Sequence, residues 1–167
     1  ADDGGNTILH LSAAAGAKRT LKLCISRGME LDNYNPDGAT PLHLAITCRQ
    51  RGRDDVVEYL IDAGASLDLV DANGDSPLLH AARLGHAKCC TMLVSEEPAL
   101  KHIRDLAGNT PLVLAAAGGH RGTVNALIME GALVDGGILH DPSPPVLTDA
   151  EAVRQDDYDP PNGVSAT

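Results

Sequence analysis

The sequence predicts an all-α repeat solenoid of stacked helix-turn-helix units joined by hairpin-like turns, and three observations carry that reading. First, four segments align, NTILHLSA at 6–13, ATPLHLAI at 39–46, DSPLLHAA at 75–82 and NTPLVLAA at 109–116. Their markers Thr7, Thr40, Ser76 and Thr110 are spaced by 33, 36 and 34 residues. Self-similarity at a period of about 20–50 residues is the mark of a repeat array. Second, each marker is followed in register by a Gly and then by Thr20/Leu21, Val56/Val57, Cys89/Cys90 or Thr123/Val124. Four residues on come Cys24/Ile25, Leu60/Ile61, Leu93/Val94 or Leu127/Ile128. Spacing of i, i+1, i+4, i+5 describes one broad helical face. Third, a turn precedes each marker, DDGG, NPDG, DANG or DLAG, and its Gly supplies the positive φ that a tight hairpin needs.

The units follow in order at about 1–34, 35–70, 71–104 and 105–137, which together form a domain over 1–137. In the first, Ile8 stands where the others carry Pro41, Pro77 and Pro111. Elsewhere the marker hydroxyl is expected to cap a helix that Pro opens at its first turn, where a missing N–H costs nothing. The second unit has three extra residues, about Arg49–Arg51, which with Arg53 are expected to make a basic knob. Small residues at Ala13–Ala15, Ala45, Ala81–Ala82 and Ala115–Ala117 let neighbouring helices approach closely. Beyond 137 the composition changes. Residues 138–167 are acidic and rich in Pro, with six acids against one base, which predicts a largely disordered or draped tail. Within it, Ser143-Pro144 falls 33 residues after Thr110-Pro111, and Thr148-x-x-Glu151 is a capping-box pattern. Residues 142–155 are therefore expected to form a half repeat capping the C-terminal end of the stack.

Composition excludes several functions. Aromatic residues make up 2% of the chain, with no Trp or Phe, and the net charge is −10. Little is available for stacking on bases, and the charge opposes polyanions, so neither nucleic acid nor an anionic membrane is expected as a partner. No apolar run approaches the roughly 18 residues of a membrane span. Cys24, Cys48, Cys89 and Cys90 form no C-x-x-C pair and no disulfide framework, which points to a reducing intracellular setting, cytoplasmic or nuclear. The opening ADDGGN is neither a signal peptide nor a Met start, as expected of a fragment cut from a longer chain.

No catalytic residues, cofactor or metal are expected. His80, His86, Cys89 and Cys90 cluster in sequence, but Cys89/Cys90 occupy the slot that Val56/Val57 fill in the second unit, so packing accounts for them. Cys24 matches a Leu slot, and Cys48, at the end of a first helix, is expected to be the most reachable thiol. GGHRG at 118–122 reads as a helix-helix turn, and no hydrolase, zincin or P-loop motif occurs. The hairpin acids Asp37, Asp71, Asp75 and Asp105 read mainly as turn formers that bond their own backbone.

The chain resembles the ankyrin repeat family over about 1–137. The carrying residues are the T-P-L-H-x-A signature, whole in Thr40, Pro41, Leu42, His43 and Ala45, and the closing turns at Gly64–Asp68 and Gly131–Asp135. The resemblance implies hydrogen bonds between repeats from His10 and His43, which Leu79 and Val113 cannot make. It also implies a noncatalytic protein-binding module whose contacts come from the hairpins and the exposed ends of the first helices. In register those positions include Tyr34, Asp37 and Thr47, then Asn73, Asp75, Arg83 and Leu84, then Arg104, Leu106 and Asn109, with Asp3, Asn6, Ala14, Pro36, Ala39, Cys48 and Ala117 beside them. The expected partner is a protein, with a basic surface patch facing the hairpin acids, and the chain is expected to be monomeric. The alternative makes it the regulatory or targeting arm of a larger enzyme or channel.

Overall fold

Thr7, Thr40, Ser76 and Thr110 each stand in extended backbone, with ψ between 163° and 167°, directly before a helix. The hydroxyls of Thr7, Ser76 and Thr110 accept the N–H groups of His10, Leu79 and Val113 at 3.3–3.4 Å, which satisfies one of the donors every helix start leaves open. The computed structural model describes residues 5–132. In chain order these hold α1 (Ile8–Ala14), α2 (Lys18–Ser26), α3 (Pro41–Thr47), α4 (Arg53–Asp62), α5 (Pro77–Leu84), α6 (Ala87–Glu96), α7 (Pro111–Ala117) and α8 (Arg121–Met129). No strand occurs among the described residues. The half repeat expected at 142–155, and Asp3, lie outside them.

Consecutive helices pair as antiparallel units, and the units stack. Helix α1 packs on α3, α3 on α5 and α5 on α7, while α2, α4, α6 and α8 form a parallel second row. The first row can close tightly because Ala13, Ala45, Ala81, Ala82 and Ala115 have no solvent exposure. Larger side chains fill the space between the rows. Leu9, Leu21, Leu42, Ile46, Leu60, Leu78, Leu93 and Leu127 are at most 1% exposed, and each such burial contributes about 1.5–3 kcal/mol. Cys89 and Cys90 are buried among them, in the slot of Val56 and Val57.

Two connections depart from the expected register. Gly16, Gly85 and Gly119 turn between helices at φ 66–78°, each followed by a residue near φ −85° that starts the second helix. Gly52 does not share that role. The inserted residues shift it to the N-cap of α4 itself, at φ 100°. The second helices of the first, second and fourth units end at Gly28, Gly64 and Gly131 with positive φ. The third has Glu97-Pro98 there and continues into a 3-10 turn, Pro98–His102, that buries Leu100 to 1% exposure. From this turn the Lys101 ammonium donates to the Glu130 carbonyl at 3.3 Å, at the end of α8, where a cation complements the helix dipole.

Candidate partner-binding surface

Each of the second, third and fourth hairpins is organised by one side chain. The Oδ1 atom of Asn35 accepts the N–H groups of Asp37 and Ala39, that of Asp71 accepts those of Asn73 and Asp75, and that of Asp105 accepts those of Ala107 and Asn109, all at 2.8–3.1 Å. A backbone bond closes each loop as well, from Asn35 to Ala39, Asp71 to Asp75 and Asp105 to Asn109. Burial pushes the Asp71 carboxyl up, but the His80 ring and the donated N–H groups outweigh it and hold the group below its ordinary value. The same balance, with Asn109 foremost among the donors, lowers Asp105. Asp71 and Asp105 thus act as the turn formers expected of them. Asp37 does not, because Asn35 has taken that place. Asn35 was missed in the sequence, although Asn35, Asp71 and Asp105 each stand five residues before a marker.

The hairpins also lie on one another. Asn35 donates from Nδ2 to Asn6 Oδ1 at 3.0 Å, and the Ala72 N–H donates to the Asp37 carbonyl at 3.1 Å. A Cβ at Gly5 would come within 2.6 Å of Pro36, at Gly38 within 2.7 Å of the Ala72 nitrogen, and at Gly74 within 2.8 Å of Leu106. Gly5, Gly38 and Gly74 are therefore seats for the next hairpin. Between the third and fourth hairpins Arg83 supplies a further link, with its guanidinium 3.0 Å from Asp75 and 3.5 Å from Asp105.

Below the hairpins run the histidine links. The Nε2–H of His10 donates to the Ala39 carbonyl, and that of His43 to the Asp75 carbonyl, each at 3.1 Å. With Nε2 carrying the proton, Nδ1 of each ring accepts from the N–H of Thr7 or Thr40 at 3.2 Å. Burial, above all, lowers the His43 pKa. Leu79 and Val113 leave the later interfaces without this link, as the signature's loss implied. His80, one position along from Leu79, donates instead to Asp71 at 2.9 Å and stands edge-on to the His43 ring.

Of the sequence-selected positions, Tyr34, Leu84 and Leu106 are 52%, 43% and 85% exposed. Asp37, Thr47, Asn73, Arg83 and Arg104 are exposed too, and Asn109 is half-buried. Arg104 donates to the Gly108 carbonyl, and Asn109 to Asp105, so both are engaged within their own hairpin. Asn73, Asp75, Arg83 and Leu106 come together with His80 and Asp105 around a shallow concavity of about 450 Å³ between the third and fourth hairpins. Asp75, Ala39 and Cys48 are corrections. Asp75 is buried to 3% exposure with its carboxylate taken up by Arg83, because the residue closing the hairpin must turn under it. Ala39 holds the same position one unit earlier and is 7% exposed. Cys48 is 5% exposed rather than reachable, since α3 ends there and the inserted loop folds over the thiol, with the Gln50 N–H 3.3 Å from its sulfur.

The basic knob is smaller than expected. Arg53 is held by Asp54 and by His86, each at 3.1 Å, which leaves Arg49 and Arg51 as its exposed members. His80, His86, Cys89 and Cys90, close in sequence, do not converge in space, because His80 faces Asp71 and His86 faces Arg53, and burial raises the Cys89 and Cys90 thiols to about 11 and 12. Thiols of that kind stay protonated at neutral pH and are poor nucleophiles or metal ligands.

The family described as ankyrin repeats (3 copies) matches residues 1–71 and again 48–136. The chain is 34% identical over 132 residues to an ankyrin repeat and KH domain-containing protein of Caenorhabditis briggsae, covering 78% of this chain and 5% of that one. It is 35% identical over 141 residues to a putative E3 ubiquitin-protein ligase of Arabidopsis thaliana, covering 77% and 30%. It is 34% identical over 140 residues to a transient receptor potential cation channel of Homo sapiens, subfamily A member 1, covering 79% and 12%. The chain thus spans less than a third of the length of each of these three relatives. No helix among the described residues is long and apolar enough to cross a membrane.

Proposed function

We propose, from the premise that this chain belongs to the ankyrin repeat family, that it binds a partner protein through its hairpin tips and the adjoining ends of the first helices. Ankyrin repeats mediate protein-protein interaction. What carries the assignment to this surface is Leu106, which projects 85% exposed from the fourth hairpin beside the concavity that Arg83 borders. A large apolar side chain exposed at the rim of a concavity supports a binding role there, and an arginine already held in place loses little freedom on contact. Tyr34 and Leu84 extend the surface to neighbouring units.

Its chemistry is recognition without catalysis. The relatives are long proteins of which the matched part is a small share, and that favours a second reading in which the repeats are the regulatory or targeting arm of a larger enzyme or channel. Affinity capture followed by mass spectrometry identifies the partner, and alanine variants of Tyr34, Arg83, Leu84 and Leu106 map the site. Each hot-spot residue is expected to lose about 1–3 kcal/mol of binding, with the circular dichroism spectrum retained. Normal binding by all four variants places the site elsewhere.

A further inference from the structure

The connection between α3 and α4 differs from its three counterparts. Residues 15–17, 85–86 and 118–120 join the other first and second helices, whereas this join takes 48–52. The extra length is not needed to turn the chain, since two or three residues suffice elsewhere. Nor is the loop merely draped. Cys48 is buried, Gln50 bonds to its sulfur, and Gly16 of the preceding unit lies against Gln50, the Arg51 carbonyl and Cys48 at 3.4–3.6 Å from where its Cβ would stand. The loop therefore presents its arginines from a fixed base.

Those arginines border a concavity of about 470 Å³ whose charged lining is Arg49, Arg51, Arg53, Lys88, Asp54 and Asp55, four cations against two acids. Arg53 and Lys88 are turned toward Asp54, at 3.1 and 3.9 Å. Arg49 and Arg51 are exposed and form no salt bridge among the described residues. The remaining lining residues are Gln50 and Gly52, with no apolar or aromatic side chain, so this site recognises charge and not apolar surface.

We infer that the α3–α4 connection is a second docking surface, separate from the hairpin face, for an Asp/Glu-rich segment of a partner protein gripped by Arg49 and Arg51. Guanidinium forks match carboxylates bidentately, and each exposed fork can take one. A short acidic segment suits the site better than a nucleic acid does, because the chain's net charge of −10 opposes a long polyanion while the local excess of cations acts at contact distance.

The test is fluorescence anisotropy of a labelled hexaglutamate peptide titrated with the full chain. The loss of two exposed ion pairs predicts that the double variant Arg49→Glu/Arg51→Glu binds about fivefold more weakly. The milder Arg49→Gln/Arg51→Gln should lose part of that affinity, and binding should weaken with added salt. The control Arg27→Glu/Arg121→Glu makes the same change in net charge at the end of α2 and the start of α8, and should stay within about twofold of the parent. Equal weakening by both charge reversals, or none by the first, overturns the assignment. In a further arm, Asp156→Asn/Asp157→Asn/Asp159→Asn in the full chain should leave peptide affinity unchanged. A severalfold rise would make the chain's own tail the occupant and overturn the partner assignment. None of these positions lies on the hairpin tips, so failure here leaves the hairpin-face reading standing.

Discussion

Replacing His43 with Ala is expected to destabilise the stack by about 1.5–4.5 kcal/mol, as the sum of two losses. The Thr40 N–H, on a residue 1% exposed, donates to His43 Nδ1. Orphaning such a buried donor costs about 1–3 kcal/mol. The Asp75 carbonyl also loses the Nε2–H, but it keeps the N–H of Asp71 at 3.0 Å, so this side costs only the net worth of one bond, about 0.5–1.5 kcal/mol. For a chain of this size the melting temperature should fall by roughly 5–15 °C. His43→Leu, the residue the third unit carries at Leu79, fills the space but loses the same two hydrogen bonds, and should be destabilised by a comparable amount. The pH profile gives an independent readout. Because burial lowers the His43 pKa below its ordinary 6.5, the fold holds the neutral ring. Its contribution is complete above that value. As pH falls through it, the unfolded chain binds a proton that the folded site resists, and stability declines until the folded pKa is passed. His43→Leu should therefore show a shallower loss between pH 7 and 5, though not a flat one, since burial lowers His86 as well. Urea denaturation across that range measures both effects. An unchanged midpoint for His43→Ala would refute the hydrogen-bond role.

Three further outcomes follow from local geometry. Thr123 is 1% exposed and its hydroxyl has no hydrogen-bond partner among the described residues, so Thr123→Val, the residue type of Val56 in the second unit, should stabilise by about 1 kcal/mol, read as a higher denaturation midpoint. Gly38→Ala should cost more than Gly74→Ala in the same measurement, because the new Cβ meets the backbone of Ala72 in one case and the movable end of Leu106 in the other, while both share the penalty of positive φ. Cys48, Cys89 and Cys90 are buried, so a thiol reagent should leave all three unlabelled in the native chain and reach them at the rate of opening; fast native labelling of Cys48 would contradict its covered position.

The repeat was legible because its signals are local and recur. A hydroxyl before Pro, a Gly in a hairpin and apolar residues at helical spacing each act within a few residues of chain, and the alignment multiplies them. What stayed hidden depends on atoms brought from another unit. Cys48 sits at an exposed register position and is buried only because an insertion folds over it. Arg53 reads as part of a basic run until His86, 33 residues on, is set opposite it. Asp75 reads as a turn former bonding its own backbone until the last turn of α5 delivers Arg83 to its carboxylate. The lowest-contrast signal was Asn35, whose equivalence to Asp71 and Asp105 lies in an oxygen that accepts two N–H groups, which an amide provides as well as a carboxylate.

The same register separates what the fold requires from what it leaves free. Pro36, Ala72 and Leu106 occupy one equivalent seat, above Gly5, Gly38 and Gly74. The glycine below is constrained, since any Cβ there collides with the hairpin above. The residue above is not, for a ring, a methyl and an isobutyl group all serve. Alanine in that seat completes the contact through its backbone alone, so packing between hairpins does not call for the bulk of Leu106, most of which faces solvent. Exposed apolar area carries a solubility cost without a compensating gain in stability. A side chain that the stack does not need, held at the rim of a concavity beside a fixed arginine, fits the contact with another protein proposed above, and that is why Leu106→Ala is the variant in which loss of binding should separate most cleanly from loss of fold.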